Sequence, residues 1–193
     1  MNDMTFDKKA LKALLIPLVI EQVLTGLMGL ADTLMVSNVG EAAISGVSLV
    51  DSINLLVVYF LSALAAGGTI ICAQYMGRDD EADTRRAAHQ VMLSGLVLSV
   101  LMTVLLTLLR RPVLRLIFGT VEEAVMTAAV TYLLITALSY PFLSLYTASA
   151  ALFRATGDAR HPMLVAAAAD ILNIVGNAVL IFVFHMGDRK SVV

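Results

Sequence analysis

Five long apolar segments constrain this chain more than any other feature of its sequence. They cover residues 13–36, 52–75, 89–109, 125–151 and 163–185, and short charged stretches separate them. A helix needs about 20 mostly apolar residues to cross the hydrocarbon core of a bilayer. Because lipid offers no hydrogen bonds to the backbone, such segments are stable there as helices. The pattern predicts an all-α membrane protein, a polytopic bundle of about five transmembrane helices.

Composition and charge exclude several other classes of protein. Apolar residues make up 59% of the chain, above the 45–50% typical of soluble domains. The formal net charge is −2 and no basic stripe is present, so nucleic acid is not an expected partner. Cys72 is the only cysteine, which excludes a disulfide framework or a thiolate metal site. The bilayer itself is the expected surrounding.

The distribution of Lys and Arg predicts a cytoplasmic N-terminus. With that orientation eight basic residues fall inside and five outside, in agreement with the positive-inside rule. Arg110, Arg111 and Arg115 fall on the wrong side. We expect the third helix to end at Pro112 and an amphipathic interfacial stretch to follow over residues 113–118.

Two of the predicted spans carry acidic or amide side chains at depth. Glu21 and Asp32 are eleven residues apart, which places them on one stripe of the first helix, about 16 Å apart along its axis. Asp170, Asn173 and Asn177 share one face of the fifth helix within about 60°. If the two helices face each other, these oxygens form a polar column that suits Na⁺ or a proton-carrying carboxyl.

Structural roles for the same residues remain open alternatives. Asp32 can be a carboxylate at the outer end of its helix. Glu21 can serve packing through hydrogen bonds to Ser, Thr or backbone groups, and Asp170 can be a paired structural carboxylate. Asn173 and Asn177 can be interhelical hydrogen-bonding residues, as is common in membrane helices. Two further polar residues have expected positions at helix ends. Asp51 is expected to cap the second helix, and His89 to begin the third.

Four segments together resemble the multidrug and toxic compound extrusion (MATE) family of the multidrug/oligosaccharidyl-lipid/polysaccharide flippase superfamily. The first contains Pro17, Glu21 and the sequence GLADTLMV at residues 29–36. The second is AQYMGRD at 73–79, and the fourth is DILNIVGN at 170–177. The third, LFRATGDARHPM at 152–163, is the most specific because Arg, Thr-Gly-Asp and His-Pro recur there in a fixed order.

The resemblance implies a twelve-helix, two-lobe antiporter in the bacterial inner membrane, monomeric at full length, that exports organic cations in exchange for Na⁺ or H⁺. It needs no cofactor besides the coupling ion. Residues 1–187 match an incomplete N-terminal lobe, and the tail 188–193 departs from the pattern, as expected of a truncation. The resemblance places the ion site at Asp32, Asn173 and Asn177. Some members carry Asp at the position of Asn177, so Glu21 and Asp170 are the candidates to compensate.

Other functions are weighed against this one. A lipid-linked oligosaccharide or polysaccharide flippase of the same superfamily is the alternative, but the spans contain no Lys or Arg to bind a pyrophosphate. An intramembrane enzyme is not expected, because Asp32 and Asp170 differ in depth by roughly 16 Å and no protease motif is present. A purely structural subunit remains open.

Overall fold

The computed structural model describes residues 8–36 and 41–178, with backbone alone at 9–10, 31–36, 174 and 176–178. Six helices make up this part of the chain, and it contains no strand. They are α1 (Lys8–Val36), α2 (Glu41–Met76), α3 (Glu81–Leu108), α4 (Arg110–Phe118), α5 (Glu123–Ala155) and α6 (Arg160–Ala178). The predicted all-α class is confirmed.

Four of the described helices are long and apolar enough to cross a membrane: α1 over Leu11–Leu30, α2, α3 and α5. They correspond to the first four predicted spans. The fifth predicted span, 163–185, lies partly outside the described residues, which follow α6 only to Ala178. The chain is therefore a multi-pass membrane protein.

Helices α2 to α5 form one compact unit, residues 40–155, whose buried apolar residues form a large and a smaller cluster. On α2 and α5 the buried side chains recur every three or four residues, which is the period of one helix face. These core residues are Val50, Ile53, Val57 and Leu61 from α2, Leu114 from α4, and Met126, Ala129, Leu133, Ala137 and Tyr140 from α5. The opposite faces of the same helices expose large apolar side chains, as expected where lipid is the solvent.

Small residues allow the helices of this bundle to approach closely. A Cβ atom added at Gly46 of α2 would lie 2.9 Å from the backbone nitrogen of Ala129 in α5. A Cβ at Gly95 of α3 would lie 2.7 Å from the hydroxyl oxygen of Ser144. The hydroxyl of Thr103 donates a buried hydrogen bond of 2.7 Å from α3 to the carbonyl oxygen of Ala137 in α5. Close backbone approach and interhelical hydrogen bonds are the usual means of association within lipid.

The second helix begins eleven residues earlier than predicted, at Glu41 rather than at residue 52. The expectation that 37–51 is a loop is therefore wrong over residues 41–51. The serines and glycine that suggested a loop are used within the helix. Gly46 permits the contact with α5, and the hydroxyl of Ser52 bonds the carbonyl oxygen of Ser48 one turn earlier. Asp51 consequently lies inside α2 and caps nothing.

The third helix also begins earlier than predicted, at Glu81. Its N-cap is Asp80, whose carboxylate accepts a 3.0 Å hydrogen bond from the backbone N–H of Asp83. His89 therefore lies two turns inside α3, with its side chain exposed, and the expectation that it begins this helix is wrong. Two acidic residues in the first turn, Glu81 and Asp83, indicate this start in the sequence, because the positive end of the helix dipole stabilises them.

A separate short helix, α4, follows α3, as the sequence predicts. The break falls at Leu109, three residues before Pro112, because proline fits the first turn of a helix, where its missing N–H has no partner to lose. Leu114 is buried against the bundle, whereas Arg115 and Leu116 are exposed. This division of faces is that of an amphipathic helix at an interface.

Helices α1 and α6 form the second compact unit and pack against each other. Pro17 lies inside α1 and is buried. On α6 the packed side includes Pro162, Met163 and the small residues Ala166 and Ala167. Small side chains let two helices come close without a large apolar core, which is the packing mode common in membranes.

Candidate ion-coupling site

One face of α1 is packed and the others are open. Its less exposed side chains, Leu14, Pro17, Leu18, Glu21, Leu24 and Met28, recur every three or four residues. Glu21 lies in the middle of this face and is only 6% exposed, while its neighbours Ile20 and Val23 are 43% and 55% exposed. A carboxylate thus occupies a buried position on a helix that can span the membrane.

The packed face of α6 also contains a carboxylate. Met163, Ala166, Ala167 and Asp170 are half-buried in succession, at helical spacing, and the side chains next to Asp170, Ala169 and Ile171, are exposed. The Oδ2 atom of Asp170 is fully enclosed. Since α1 and α6 pack against each other, Glu21 and Asp170 both belong to the faces that form this helix pair.

Of the remaining predicted site residues, only Asn173 has a side chain within the part of the chain that the structure describes. Asn173, one turn beyond Asp170, has an exposed side chain. Asp32 lies in α1 and Asn177 in α6, but both side chains are outside the described part of the structure. The proposed column through Asp32, Asn173 and Asn177 therefore stays a prediction. No cluster of three or more metal-ligating His, Cys, Asp or Glu side chains occurs among the described residues.

The loop motif that precedes α6 has a clear structural role. Gly157 adopts a left-handed backbone conformation, with a φ of 86°, which glycine tolerates without strain. The Oδ1 atom of Asp158 then accepts hydrogen bonds from the backbone N–H groups of Arg160 (3.0 Å) and His161 (3.3 Å). The His161 ring pairs with Oδ2 of the same carboxylate. These residues fix the start of α6 and hence the position of Asp170 along it.

The pKa of Asp158 is lowered from its ordinary value. The largest cause is the hydrogen bond from the His161 ring, followed by the hydrogen bond from the backbone N–H of His161. Both contacts favour the ionised carboxylate. The Thr-Gly-Asp and His-Pro parts of the motif are therefore explained by a turn and a helix cap outside the membrane-spanning segments.

A second polar group, missed by the sequence reasoning, lies between α2 and α5. The hydroxyl of Tyr140 donates to Oδ1 of Asn54 at 2.6 Å, and the amide of Asn54 donates to Oδ1 of Asp51 at 3.3 Å. The hydroxyl of Tyr132 donates to the same Asp51 oxygen at 3.3 Å. The signal was available, because Asp51 and Asn54 have the same spacing as Asp170 and Asn173. The signal is hidden because Asp51 immediately precedes the apolar segment 52–75, where an aspartate resembles a helix cap.

Four helices that can span a membrane, one of them with the buried carboxylate Glu21, define the class of protein as a polytopic α-helical membrane protein. The family is identified by sequence comparison. The model of the MatE family matches residues 17–179, and the chain belongs to this family. The predicted family and its transporter class are confirmed.

Named relatives and solved structures agree with this assignment. The chain is 30% identical over 177 residues to the probable multidrug resistance protein NorM of Thermotoga maritima, covering 91% of this chain and 37% of that protein. It is 31% identical over 178 residues to the probable multidrug resistance protein NorM of Pseudomonas putida, covering 92% of this chain and 38% of that protein. The chain thus spans little more than a third of these relatives.

The fold is also that of solved transporters. A transporter of the MOP superfamily from Pyrococcus furiosus superposes with a TM-score of 0.85 at 25% sequence identity, over 93% of this chain and 39% of that chain. The helices described above therefore correspond to a contiguous part of a larger transporter fold.

Proposed function

We propose that the full-length protein exports organic cations, including drugs, across the bacterial inner membrane in exchange for Na⁺ or H⁺. It works as a monomer with its N-terminus in the cytoplasm. Two relatives are named as probable multidrug resistance proteins, which supports the substrate class. The excess of Lys and Arg in the cytoplasmic connections supports the orientation.

The burial of Glu21 is the observation that carries ion coupling. A carboxylate at the centre of a membrane helix costs about 2.5–3.5 kcal/mol even on insertion scales, so its retention there needs a compensating role. Glu21 is 6% exposed on the packed face of α1. Binding a proton or a Na⁺ removes the charge that makes this position unfavourable. Glu21 thus has the chemistry of a group that carries an ion and releases it when water reaches it.

Asp170 on the packed face of α6 is the second proposed member of the site. The family resemblance adds Asp32, Asn173 and Asn177, whose oxygens suit a hard cation such as Na⁺. The ion drives alternating access only if it binds one of the inward-open and outward-open states more tightly than the other. A site divided between two helices that move during the cycle meets this requirement, because its geometry changes with the state.

The test is transport by the full-length protein in proteoliposomes. Uptake of a fluorescent organic cation is followed under an imposed Na⁺ gradient, an imposed H⁺ gradient, or neither. The proposal is supported if gradient-dependent uptake falls, in Asp32→Asn and in Glu21→Gln, to the level measured without an imposed gradient. Ion-dependent uptake unchanged in both variants refutes the site. Transport of a lipid-linked oligosaccharide in place of organic cations would favour the flippase alternative.

A further inference from the structure

The carboxylate of Asp51 occupies a position that the ion-coupling proposal does not use. It lies ten residues into α2, in the first third of that helix, and its side chain is exposed. With the bilayer centred on the midpoint of α2, Asp51 is about 11 Å from the centre by the helix rise, inside the half-thickness of about 15 Å. Lipid rejects a carboxylate at this depth, so the α2–α5 face around it must border water or protein.

The hydrogen bonds around Asp51 all run in one direction. The hydroxyl of Tyr140, which is 2% exposed, donates to the amide oxygen of Asn54. That bond orients the amide so that its NH₂ group donates to Asp51. Tyr132 adds its hydroxyl as a second donor to the same oxygen. The chain of hydrogen bonds that begins at Tyr140 therefore ends on the carboxylate of Asp51.

Both donors use Oδ1, and Oδ2 accepts from no described residue. No described Lys, Arg or His forms an ion pair with Asp51, and α2 contains none of these residues. The carboxylate is therefore held by neutral donors at Oδ1, and Oδ2 is left open. This arrangement differs from a structural ion pair, in which the protein supplies its own cation.

The aromatic ring of Tyr132 adds a second attraction for a positive group. Tyr132 is half-buried beside the carboxylate, and Tyr59 is exposed about two turns further along α2. The face of an aromatic ring attracts an ammonium group. Thr136 and Ser139 continue the polar side of α5 one and two turns beyond Tyr132, with hydroxyls bonded to their own helix. The surface combines a fixed anion, aromatic rings and weakly polar groups.

We propose that Asp51, held by Asn54 and Tyr132, is a subsite for the positively charged nitrogen of an organic cation, which Oδ2 binds by a charge-assisted hydrogen bond. This inference rests on the proposed function and deepens it, since it assigns substrate charge recognition to α2 and α5. The coupling ion remains assigned to the α1–α6 pair. Selection for cations over neutral molecules then depends on one side chain.

The test compares two probes of the same shape in the full-length protein. Dansylcadaverine carries a primary ammonium at neutral pH, and its N-acetyl derivative is neutral. Equilibrium binding of both is measured by dansyl fluorescence in detergent for the wild type, Asp51→Asn and the control Ser52→Ala. Asn at position 51 keeps an acceptor for Tyr132 and Asn54, so the fold is preserved, and a thermal unfolding curve verifies this.

We expect Asp51→Asn to raise the Kd of dansylcadaverine at least tenfold, the loss of one charge-assisted contact, and to leave the acetylated probe unchanged. We expect Tyr132→Phe to raise the Kd of dansylcadaverine by a smaller factor, and Ser52→Ala to leave the Kd of both probes unchanged. The subsite is overturned if Asp51→Asn changes the Kd of both probes equally or changes neither. Charge-selective binding without gradient-driven uptake overturns the proposed ion-coupled export but supports the subsite.

Discussion

The α2–α5 bundle and the α1–α6 pair solve the same problem, stability within lipid, in different ways. The bundle buries a row of apolar side chains, and its buried hydroxyls join neighbouring helices, as Thr103 joins α3 to α5. The pair packs small residues of α6 and larger side chains of α1 and places carboxylates, Glu21 and Asp170, on its packed faces. In lipid a hydroxyl can form a hydrogen bond within the protein at little energetic cost, whereas a buried carboxylate carries a large cost. On this difference we base the proposal that the pair carries the coupling ion, whereas the bundle is the scaffold and holds the proposed Asp51 subsite.

The largest effect expected concerns the pair. Glu21→Gln keeps the size of the side chain and one acceptor oxygen but removes its ionisable group. We expect ion-driven uptake of organic cations by the full-length protein to fall more than tenfold, with little change in thermal stability. The matched control is Gln22→Ala, the exposed neighbouring residue, which we expect to retain uptake. Normal transport by the Glu21→Gln protein would contradict the proposal that the α1–α6 pair, and not the bundle, carries the coupling ion.

The next effect concerns the bundle and is one of stability. In Gly46→Ala the new methyl group meets the backbone nitrogen of Ala129 at 2.9 Å, and the backbone cannot move aside as a side chain can. We expect a loss of about 1–3 kcal/mol, the usual cost of overpacking.

The measurement for Gly46→Ala uses the protein's own cysteine. Cys72 is the only cysteine and is fully buried, so its reaction with a thiol-reactive dye on heating reports unfolding. The control is Gly67→Ala in the same helix, where an added Cβ has no neighbour within 4 Å. Equal melting temperatures for both variants would contradict the close α2–α5 contact.

A smaller effect is expected from the interhelical hydrogen bond. Thr103→Val removes the donor to Ala137 at nearly constant volume, and we expect a loss of about 0.6 kcal/mol, at most about 1.7. Thr131→Val is the control, because that hydroxyl is exposed and bonds its own helix at Thr127. Denaturant titration of both variants measures the difference, and a larger loss in Thr131→Val would reverse the assignment.

The smallest effect concerns the loop that begins α6. The pKa of Asp158 is lowered in the folded protein by its bonds to His161, so its contribution to stability is present above the unfolded pKa and is lost as the pH falls through the folded value. We expect the melting temperature of the wild type to approach that of Asp158→Asn below about pH 4. Measurements between pH 3 and 7 test this, and a constant difference across the range would contradict it.

The spans were predictable because a lipid environment leaves a strong signal of length and apolarity. The start of α2 was not predictable, because Ser48, Asp51 and Ser52 are residue types common in loops and their interhelical partners cannot be known from the sequence. Whether a polar residue belongs to a helix depends here on α5, whose Ala129 and Tyr132 contact Gly46 and Asp51. Such contacts join residues about eighty positions apart, and local periodicity carries no information on them.

The candidate site was predictable in part. Helix geometry alone predicted polar faces at Glu21 and Asp170, and both side chains lie on the packed faces of α1 and α6. Their role at an ion site stays a prediction. Spacing also predicts that Asp170 and Asn173 share a face, yet Asn173 is exposed. Periodicity gives the direction of a side chain around its own helix, but the extent of the neighbouring helix decides how far along that face burial continues.

Ion release on substrate binding tests the central claim most directly. Purified full-length protein, loaded with protons or with Na⁺ in weakly buffered detergent, receives an organic cation, and the released ion is measured with a pH indicator or by Na⁺ analysis. We predict release from the wild type and from Gly67→Ala, and none from a protein carrying Glu21→Gln and Asp170→Asn. Undiminished release from that double variant would show that the α1–α6 carboxylates do not carry the coupling ion.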